Sequence, residues 1–123
     1  AKHRDYIFNY EASKEYFSPS DLLKEKGKQM RTVWDIPNNK SKEEMQFGSH
    51  PTQKPIKVAE RILTLCGVKG GNLLVPFAGS GTEMVAGLQY GMNVYGFELE
   101  EEYYNLAKKR IEALLSNTQT SLF

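Results

Sequence analysis

The sequence predicts an α/β protein built around a parallel β-α-β unit. A short apolar strand, Leu73–Val75, runs into a glycine-containing loop, a helix follows over Thr82–Tyr90, and a second strand covers Asn93–Phe97. Because a helix separates the two strands, they are expected to pair in parallel through a right-handed crossover. Two strands make an incomplete sheet, so we expect a partial sheet with flanking helices.

Two further amphipathic helices are predicted on either side of this unit. In Ile56–Cys66 apolar residues recur at helical spacing, and Gly67 is expected to end the helix. In Glu101–Leu115 acidic residues stand at the start and Lys108, Lys109 and Arg110 toward the end, which suits the helix dipole. The residues expected to face inward are Ile56, Ala59, Ile62, Leu63 and Cys66 in the first helix and Tyr103, Leu106, Ala107, Ile111, Leu114 and Leu115 in the second.

Residues 1–49 carry weaker structural signals. The aromatic run Tyr6–Tyr10 favours a strand, with Tyr16-Phe17 as a possible pairing partner. Ser18 followed by Pro19 favours the start of a helix that Gly27 ends. Residues 37–49 are polar and are expected to form a loop.

The composition bounds the size and the setting of the protein. The chain has 123 residues, a net charge of +1 and 40% hydrophobic residues, which indicates one domain or part of one. Its one cysteine, Cys66, is expected to be a core thiol and fits a reducing compartment. Two histidines and one cysteine make no metal-binding pattern. With no apolar run of membrane-spanning length and no secretory signal, we predict a cytoplasmic protein without metal or membrane partner.

The loop between the first strand and its helix has the layout of a nucleotide-type cofactor site. Its glycines allow a ligand to approach the backbone closely, and the following helix presents free N–H groups to an anionic group. Glu98, sixteen residues past Thr82, ends the second strand and can accept hydrogen bonds from ribose hydroxyls. A tight strand-to-helix turn is the alternative for the loop alone. The loop residues are Pro76, Phe77, Ala78, Gly79, Ser80, Gly81 and Thr82.

A six-residue motif, His-Pro-Thr-Gln-Lys-Pro at residues 50–55, precedes this loop and leads directly into the helix that starts at Ile56. In this order and at this interval, the two motifs resemble those of the beta-class DNA amino-methyltransferases. That family carries the His-Pro-Thr-Gln-Lys-Pro motif ahead of its Phe-x-Gly-x-Gly motif. The resemblance covers roughly residues 30–115.

The resemblance implies a partial Rossmann-like, S-adenosylmethionine-dependent methyltransferase fold. It assigns the 76–82 loop to the methionine part of S-adenosylmethionine, Glu98 to its ribose, and His50, Thr52 and Lys54 to its carboxylate. Phe77 and Phe97 are candidates to flank the adenine ring, with core packing as an equal alternative. Residues 1–49 would belong to a target-recognition or connecting region, 50–116 to the donor-binding half and 117–123 to a tail.

Two positions bear on the choice of cofactor. In the family an aspartate usually precedes the Pro-Phe pair and contacts the donor's amino group. Here this residue is Val75, so the contact is absent or is made elsewhere. A nicotinamide oxidoreductase is the competing interpretation, but its fingerprint wants a third glycine where this chain has Met84. Met84 therefore favours S-adenosylmethionine.

The family's catalytic Asp/Ser-Pro-Pro-Tyr/Phe motif is missing, since no two of the five prolines are adjacent. We therefore predict no catalytic residue here. The chain would be a fragment or split subunit of an enzyme that methylates a flipped base, adenine N6 more than cytosine N4. An N-terminal half or a second subunit would carry the motif, and the isolated chain would be inactive. The alternative is a degenerate, non-catalytic module that binds DNA or a protein.

A basic segment at residues 20–42 is the candidate contact for double-stranded DNA. Phosphate contacts are its functional interpretation and a solvated helix face is the equal alternative. Trp34 is expected to pack against the protein, with stacking on DNA as the sharper alternative. The basic residues are Lys24, Lys26, Lys28, Arg31, Lys40 and Lys42.

Overall fold

The computed structural model describes residues 5–15, 27–38 and 41–120. From Ile56 onward, helices and strands of the described residues alternate as expected of an α/β protein, with two strands separated by one helix. The elements are α1 (Tyr10–Glu15), α2 (Lys42–Met45), α3 (Ile56–Cys66), β1 (Asn72–Val75), α4 (Thr82–Tyr90), β2 (Asn93–Gly96) and α5 (Glu101–Thr120).

The two strands form the predicted parallel sheet. Their register runs from Asn72 opposite Asn93 to Val75 opposite Gly96. Helix α4 packs closely on both strands, since a Cβ atom on Gly87 would stand 2.6 Å from Leu73 Cδ2 and 2.8 Å from Val94 Cγ1. In a dinucleotide fingerprint, the third glycine, which would stand at position 84 here, allows the helix to pack closely on the sheet. In this chain the close contact is at Gly87, about one helical turn later.

The core lies between α3 and α4. Ala59 and Leu63 of α3 and Ala86 of α4 form its buried centre. Helix α3 ends at Gly67, whose N–H donates to the Leu63 carbonyl at 2.6 Å, as the sequence predicts. The partly buried residues packed around this centre are Ile56, Leu73, Tyr90 and Met92.

The predicted inward face of α3 is wrong at Ile62 and Cys66. Ile62 is 45% exposed, and Cys66 is an exposed free cysteine whose Sγ lies 3.2 Å from the Ile62 carbonyl. Helix α3 is covered by α4 over Ala59, by Trp34 over Arg61 and by Asn9 at its end. These contacts leave Ile62 and Cys66 exposed, so Cys66 is not a core thiol.

Helix α5 is longer than predicted and is oriented by a polar contact. It continues from Glu101 through Thr120, past Leu115 and into the segment that we expected to be a tail. Leu115 is 48% exposed, so its inward assignment is wrong, whereas Leu106 and Ala107 are buried as expected. Arg110 is also buried, ten residues before the helix ends, so a favourable position in the helix dipole does not explain it.

The strand predicted over Tyr6–Tyr10 is not found, because residues 5–9 have no regular structure and Tyr10 begins α1. The backbone instead pairs with the end of α3. The Asn9 N–H donates to the Leu65 carbonyl at 2.7 Å, and Asn9 Nδ2 donates to the Gly67 carbonyl at 2.8 Å. Tyr16-Phe17 and the helix start predicted at Ser18 lie outside the described residues.

The predicted 37–49 loop contains one helical turn, α2. Ser41 and Glu44 form a reciprocal capping box at its start, with the Glu44 N–H donating to Ser41 Oγ at 3.2 Å. A capping box stabilises the first turn of a helix, and α2 consists of a single turn of four residues. Within the described ranges, none of the helices combines the length and hydrophobicity needed to cross a lipid bilayer.

Candidate functional site

The two sequence motifs and Glu98 meet in one open cleft of about 260 Å³. Both motifs thus lie on one side of the sheet's carboxyl end, although they are separated in sequence by helix α3 and strand β1. Of the predicted cofactor-binding residues, Pro76 and Gly81 do not line the cleft. The lining residues are His50, Thr52, Gln53, Lys54, Phe77, Ala78, Gly79, Ser80, Thr82, Glu83 and Glu98.

The 76–82 loop is fixed by two backbone hydrogen bonds, one to Phe97 and one within the loop from the Gly81 N–H to the Ala78 carbonyl at 2.7 Å. The Ala78 N–H donates to the Phe97 carbonyl at 2.8 Å, which ties the loop to the end of β2. Gly81 precedes α4 with a φ of +74°, a left-handed conformation that favours glycine. The N-cap of α4 is a glycine, so no N-cap side chain bonds the first-turn N–H groups of this helix.

The Glu98 carboxylate is held against this loop. Its Oε2 accepts a hydrogen bond from the Gly79 N–H at 2.7 Å, and its Oε1 accepts one from the Glu100 N–H at 3.0 Å. The hydrogen bond from the Glu100 N–H lowers the pKa of Glu98 most, and the one from the Gly79 N–H lowers it further. A carboxylate has further lone pairs, so the oriented, ionised group can still accept from ligand hydroxyls.

The first motif is folded into a turn by its own side chains. His50 Nδ1 accepts the Thr52 N–H at 3.1 Å, and Lys54 Nζ donates to the Thr52 carbonyl at 2.9 Å. The His50 ring packs on Tyr103 of α5, with 4.1 Å between ring centroids. The segment therefore forms a turn, as one of the two interpretations predicts, and this turn places the three side chains at the cleft.

The chain matches the family model described as DNA methylase over residues 1–109. It belongs to this family. The methylase chain is 44% identical over 95 residues to the type II methyltransferase M2.DpnII of Streptococcus pneumoniae, covering 76% of this chain and 35% of that protein. It is 40% identical over 110 residues to the type II methyltransferase M2.LlaDCHI of Lactococcus lactis subsp. cremoris, covering 89% of this chain and 37% of that protein.

The methylase chain spans about a third of the length of the curated relatives it matches. The solved structure of an M1.HpyAVI–SAM complex is 39% identical to it, with a TM-score of 0.49 over 52% of this chain and 33% of that chain. Family membership and the parallel β-α-β unit confirm a partial Rossmann-like methyltransferase fold. None of these matches supports a separate second subunit.

Gln53 is a structural residue of the methylase that our sequence reasoning missed. It is 4% exposed, and its Nε2 donates to the Glu44 carbonyl at 3.1 Å. Glu44 Oε1 accepts the first N–H of α3, from Ile56, at 2.8 Å, so Glu44 serves both α2 and α3. The Ser-x-x-Glu pattern at residues 41–44 was the available signal.

Arg110 is the second residue that sequence reasoning missed. Its Nη1 donates to the Ser80 carbonyl at 2.7 Å, to Ser80 Oγ at 3.1 Å and to Thr82 Oγ1 at 3.0 Å. The available signal was its place three and four residues after the inward-facing Ala107 and Leu106. A cation on the buried stripe of a helix needs polar partners, and here they belong to the loop.

The aromatic candidates differ from one another. Phe77 is 92% and Phe97 is 66% exposed, so the core alternative is wrong for both, and only Phe77 lines the cleft. Trp34 Nε1 donates to the Arg31 carbonyl at 2.7 Å, and the Arg61 guanidinium lies 4.8 Å from its ring centroid. These contacts support the packing role predicted for Trp34.

The predicted DNA contacts are only partly within the described residues. Lys28, Arg31 and Lys42 are exposed, as phosphate-contacting side chains must be. Lys24, Lys26 and Lys40 lie outside the described residues. Across 5–15, 27–38 and 41–120, no three His, Cys, Asp or Glu side chains come together as metal ligands would.

Proposed function

We propose that this chain is the S-adenosylmethionine-binding part of a DNA methyltransferase that methylates the exocyclic amine of a flipped base. One observation carries the proposal. In a chain of the DNA methylase family, the 50–55 motif, the 76–82 loop and Glu98 converge on one cleft. When bound, S-adenosylmethionine supplies an electrophilic methyl group, and the residues of the cleft hold and orient the donor.

The chemistry of the cleft suits a zwitterionic nucleoside. Glu98 is an oriented acceptor for the ribose hydroxyls, since the Gly79 N–H already fixes its carboxylate. The uncapped start of α4 and the Lys54 ammonium are donors for the methionine carboxylate, with His50 and Thr52 beside them. Phe77 offers an exposed aromatic face to the adenine ring.

The target we propose is double-stranded DNA, with adenine N6 preferred to cytosine N4 on the family resemblance. Lys28, Arg31 and Lys42 are the exposed cations proposed to contact phosphates, together with Lys24, Lys26 and Lys40 of the same segment. Methylation of an amine needs acceptors for its hydrogens, and the Pro-Pro motif that supplies them is not among the 123 residues. We therefore expect the isolated chain to bind the donor without turnover.

A degenerate, non-catalytic module is a second candidate, and Val75 favours it. Val75 is 8% exposed at the end of β1 and offers no acceptor where the family has an aspartate. Saturable S-adenosylmethionine binding that is lost in Gly79→Asp and Glu98→Ala would count against this candidate. Unchanged binding of duplex DNA in those variants, without donor binding in the parent chain, would favour it.

The direct test is calorimetric titration of the 123-residue chain with S-adenosylmethionine and, separately, with reduced nicotinamide dinucleotide. We expect saturable binding of S-adenosylmethionine alone. Binding of the dinucleotide instead would favour the oxidoreductase alternative. Binding of neither ligand would overturn the proposal that this cleft is a donor site.

A further inference from the structure

Arg110 of helix α5 is bonded to the rear of the cofactor loop. One nitrogen, Nη1, lies 2.7 Å from the Ser80 carbonyl, 3.1 Å from Ser80 Oγ and 3.0 Å from Thr82 Oγ1. Ser80 belongs to the loop, and Thr82 is the first residue of α4. The guanidinium thus joins the loop and the start of α4 through Ser80 and Thr82, which both line the cleft.

The three residues of this contact are buried. Arg110 is 7%, Ser80 4% and Thr82 2% exposed. Burial lowers the pKa of the Arg110 guanidinium, against the opposing effects of Glu44 and Glu83, but an arginine keeps its charge in proteins. Removing this buried charged donor would take a hydrogen-bond partner from the Ser80 carbonyl and from both hydroxyls.

A second contact, one turn earlier on α5, supports the same loop. A Cβ atom on Gly81 would stand 2.9 Å from Ala107 Cβ, so the helix surface lies directly behind the loop. Glu98, which lines the cleft, accepts the Gly79 N–H at 2.7 Å. The loop is therefore held by Glu98 from within the cleft and by Ala107 and Arg110, which do not line the cleft.

We propose that Arg110 is a positioning residue for the donor site, which it serves by holding Ser80 and Thr82 in the ligand-binding geometry. The inference rests on the proposed function for the identity of the ligand. Arg110 itself lies behind the loop and has no contact with the cleft. Its loss should loosen the loop, and the donor would then have to order the loop when it binds.

The test compares Arg110→Met with Arg61→Met. Both arginines are buried. Arg61, which is 2% exposed, packs on Trp34 and does not line the cleft. S-adenosylmethionine affinity is measured by calorimetry at a temperature at which circular dichroism shows each variant folded. Hydrogen exchange of the Gly79 and Gly81 amides is measured without ligand.

We expect Arg110→Met to weaken S-adenosylmethionine binding by roughly 10- to 100-fold, the range found when an outer partner of a metal site is removed. Exchange at Gly79 and Gly81 should become faster. Arg61→Met should change the melting temperature but neither readout. If Arg110→Met does not fold, Arg110→Lys replaces it in the comparison, since a lysine keeps the charge without the planar donor geometry.

Three results would overturn the inference. The first is hydrogen exchange at Gly79 and Gly81 that is no faster in Arg110→Met than in the parent chain. The second is faster exchange in Arg110→Met with unchanged affinity for S-adenosylmethionine. The third is a loss of affinity in Arg61→Met as large as that in Arg110→Met. Failure of the proposed function is a separate result, in which the parent chain does not bind S-adenosylmethionine. In that case the exchange measurement still decides whether Arg110 orders the loop.

Discussion

Two cavities of the protein, one lined by Arg110 and one by its partners Ser80 and Thr82, differ in size and in chemistry. The larger is a groove of about 590 Å³ lined mainly by residues of helices α2, α3, α4 and α5. Pro55 is its one lining residue from the 50–55 motif, and the 76–82 loop contributes none. The smaller, of about 260 Å³, is lined by both motifs and Glu98. Arg110 lines the groove while its Nη1 supports the loop of the cleft.

The difference teaches that polar groups in fixed positions, more than volume, identify a binding site. In the cleft, a carboxylate and a lysine are held by backbone hydrogen bonds beside the start of α4. In the groove, Glu43 and Glu60 are exposed, and the Glu44 carboxylate is already used to accept the N–H groups of Ser41 and Ile56. Preformed polar groups lower the cost of ordering a ligand, so the cleft is the better receptor despite its smaller volume.

The largest effect is expected at Glu98. Glu98→Ala should weaken S-adenosylmethionine binding roughly a hundredfold, because it removes a charged acceptor and frees the Gly79 N–H. Glu60→Ala, which removes an exposed acid of the groove, is the matched control and should leave the affinity unchanged. Calorimetry of both variants checks this, and equal losses would contradict the assignment of the site to the cleft.

A second prediction tests the packing behind the loop. Gly81→Ala should lower the free energy of unfolding by about 2 kcal/mol, because the backbone here is left-handed and the added Cβ would press on Ala107. Gly70→Ala has nearly the same φ, +75° against +74°, with no atom within 4 Å. Urea denaturation of the two variants isolates the α5 contact. If Gly70→Ala costs as much, α5 does not support the loop.

A third, smaller effect is expected at Phe77. Phe77→Ala should weaken donor binding about tenfold, the scale of one aromatic stacking contact. It should leave the melting temperature unchanged, because Phe77 is 92% exposed. Phe47→Ala, in the groove, should not affect binding. The same calorimetric titration measures both, and an unaffected Phe77→Ala would remove Phe77 from the site.

The smallest effect concerns pH. Because hydrogen bonds from the Glu100 and Gly79 N–H groups lower its pKa, Glu98 stays ionised down to below the ordinary glutamate value of about 4.3. Its contribution is therefore present above that value and is lost as pH falls through the lowered pKa. The affinity ratio of the parent chain to Glu98→Gln should be constant from pH 8 to about pH 5. A ratio that has already fallen by half at or above about pH 4.3 would show a carboxyl whose pKa is not lowered.

The sequence predicts best where local signals and burial agree. Helices α3 and α4 have the predicted bounds, since their apolar spacing is clear and glycines end them. The strands differ by a single residue each, at Asn72 and at Gly96. The cleft was also predictable, because its motifs are contiguous in sequence and the parallel topology directs the loop and Glu98 to one edge.

Contacts between distant segments could not be predicted in this way. The Asn9 backbone pairs with α3 in place of a strand, and Cys66 is exposed although it continues an apolar pattern. The partners of Arg110 lie thirty and twenty-eight residues away, so no local spacing indicates them. Each of these depends on how α1, α3 and α5 pack, which the helical period of one segment does not determine.

The most direct test of the central claim is an amide chemical-shift titration of the 15N-labelled chain with S-adenosylmethionine. The amides of Thr52, Gly79, Gly81 and Glu98 should shift and saturate together, while those of residues 43–47 and 113–117 along the groove should not. Saturable shifts along the groove with an unperturbed 76–82 loop would contradict the assignment of the donor site to the smaller cleft.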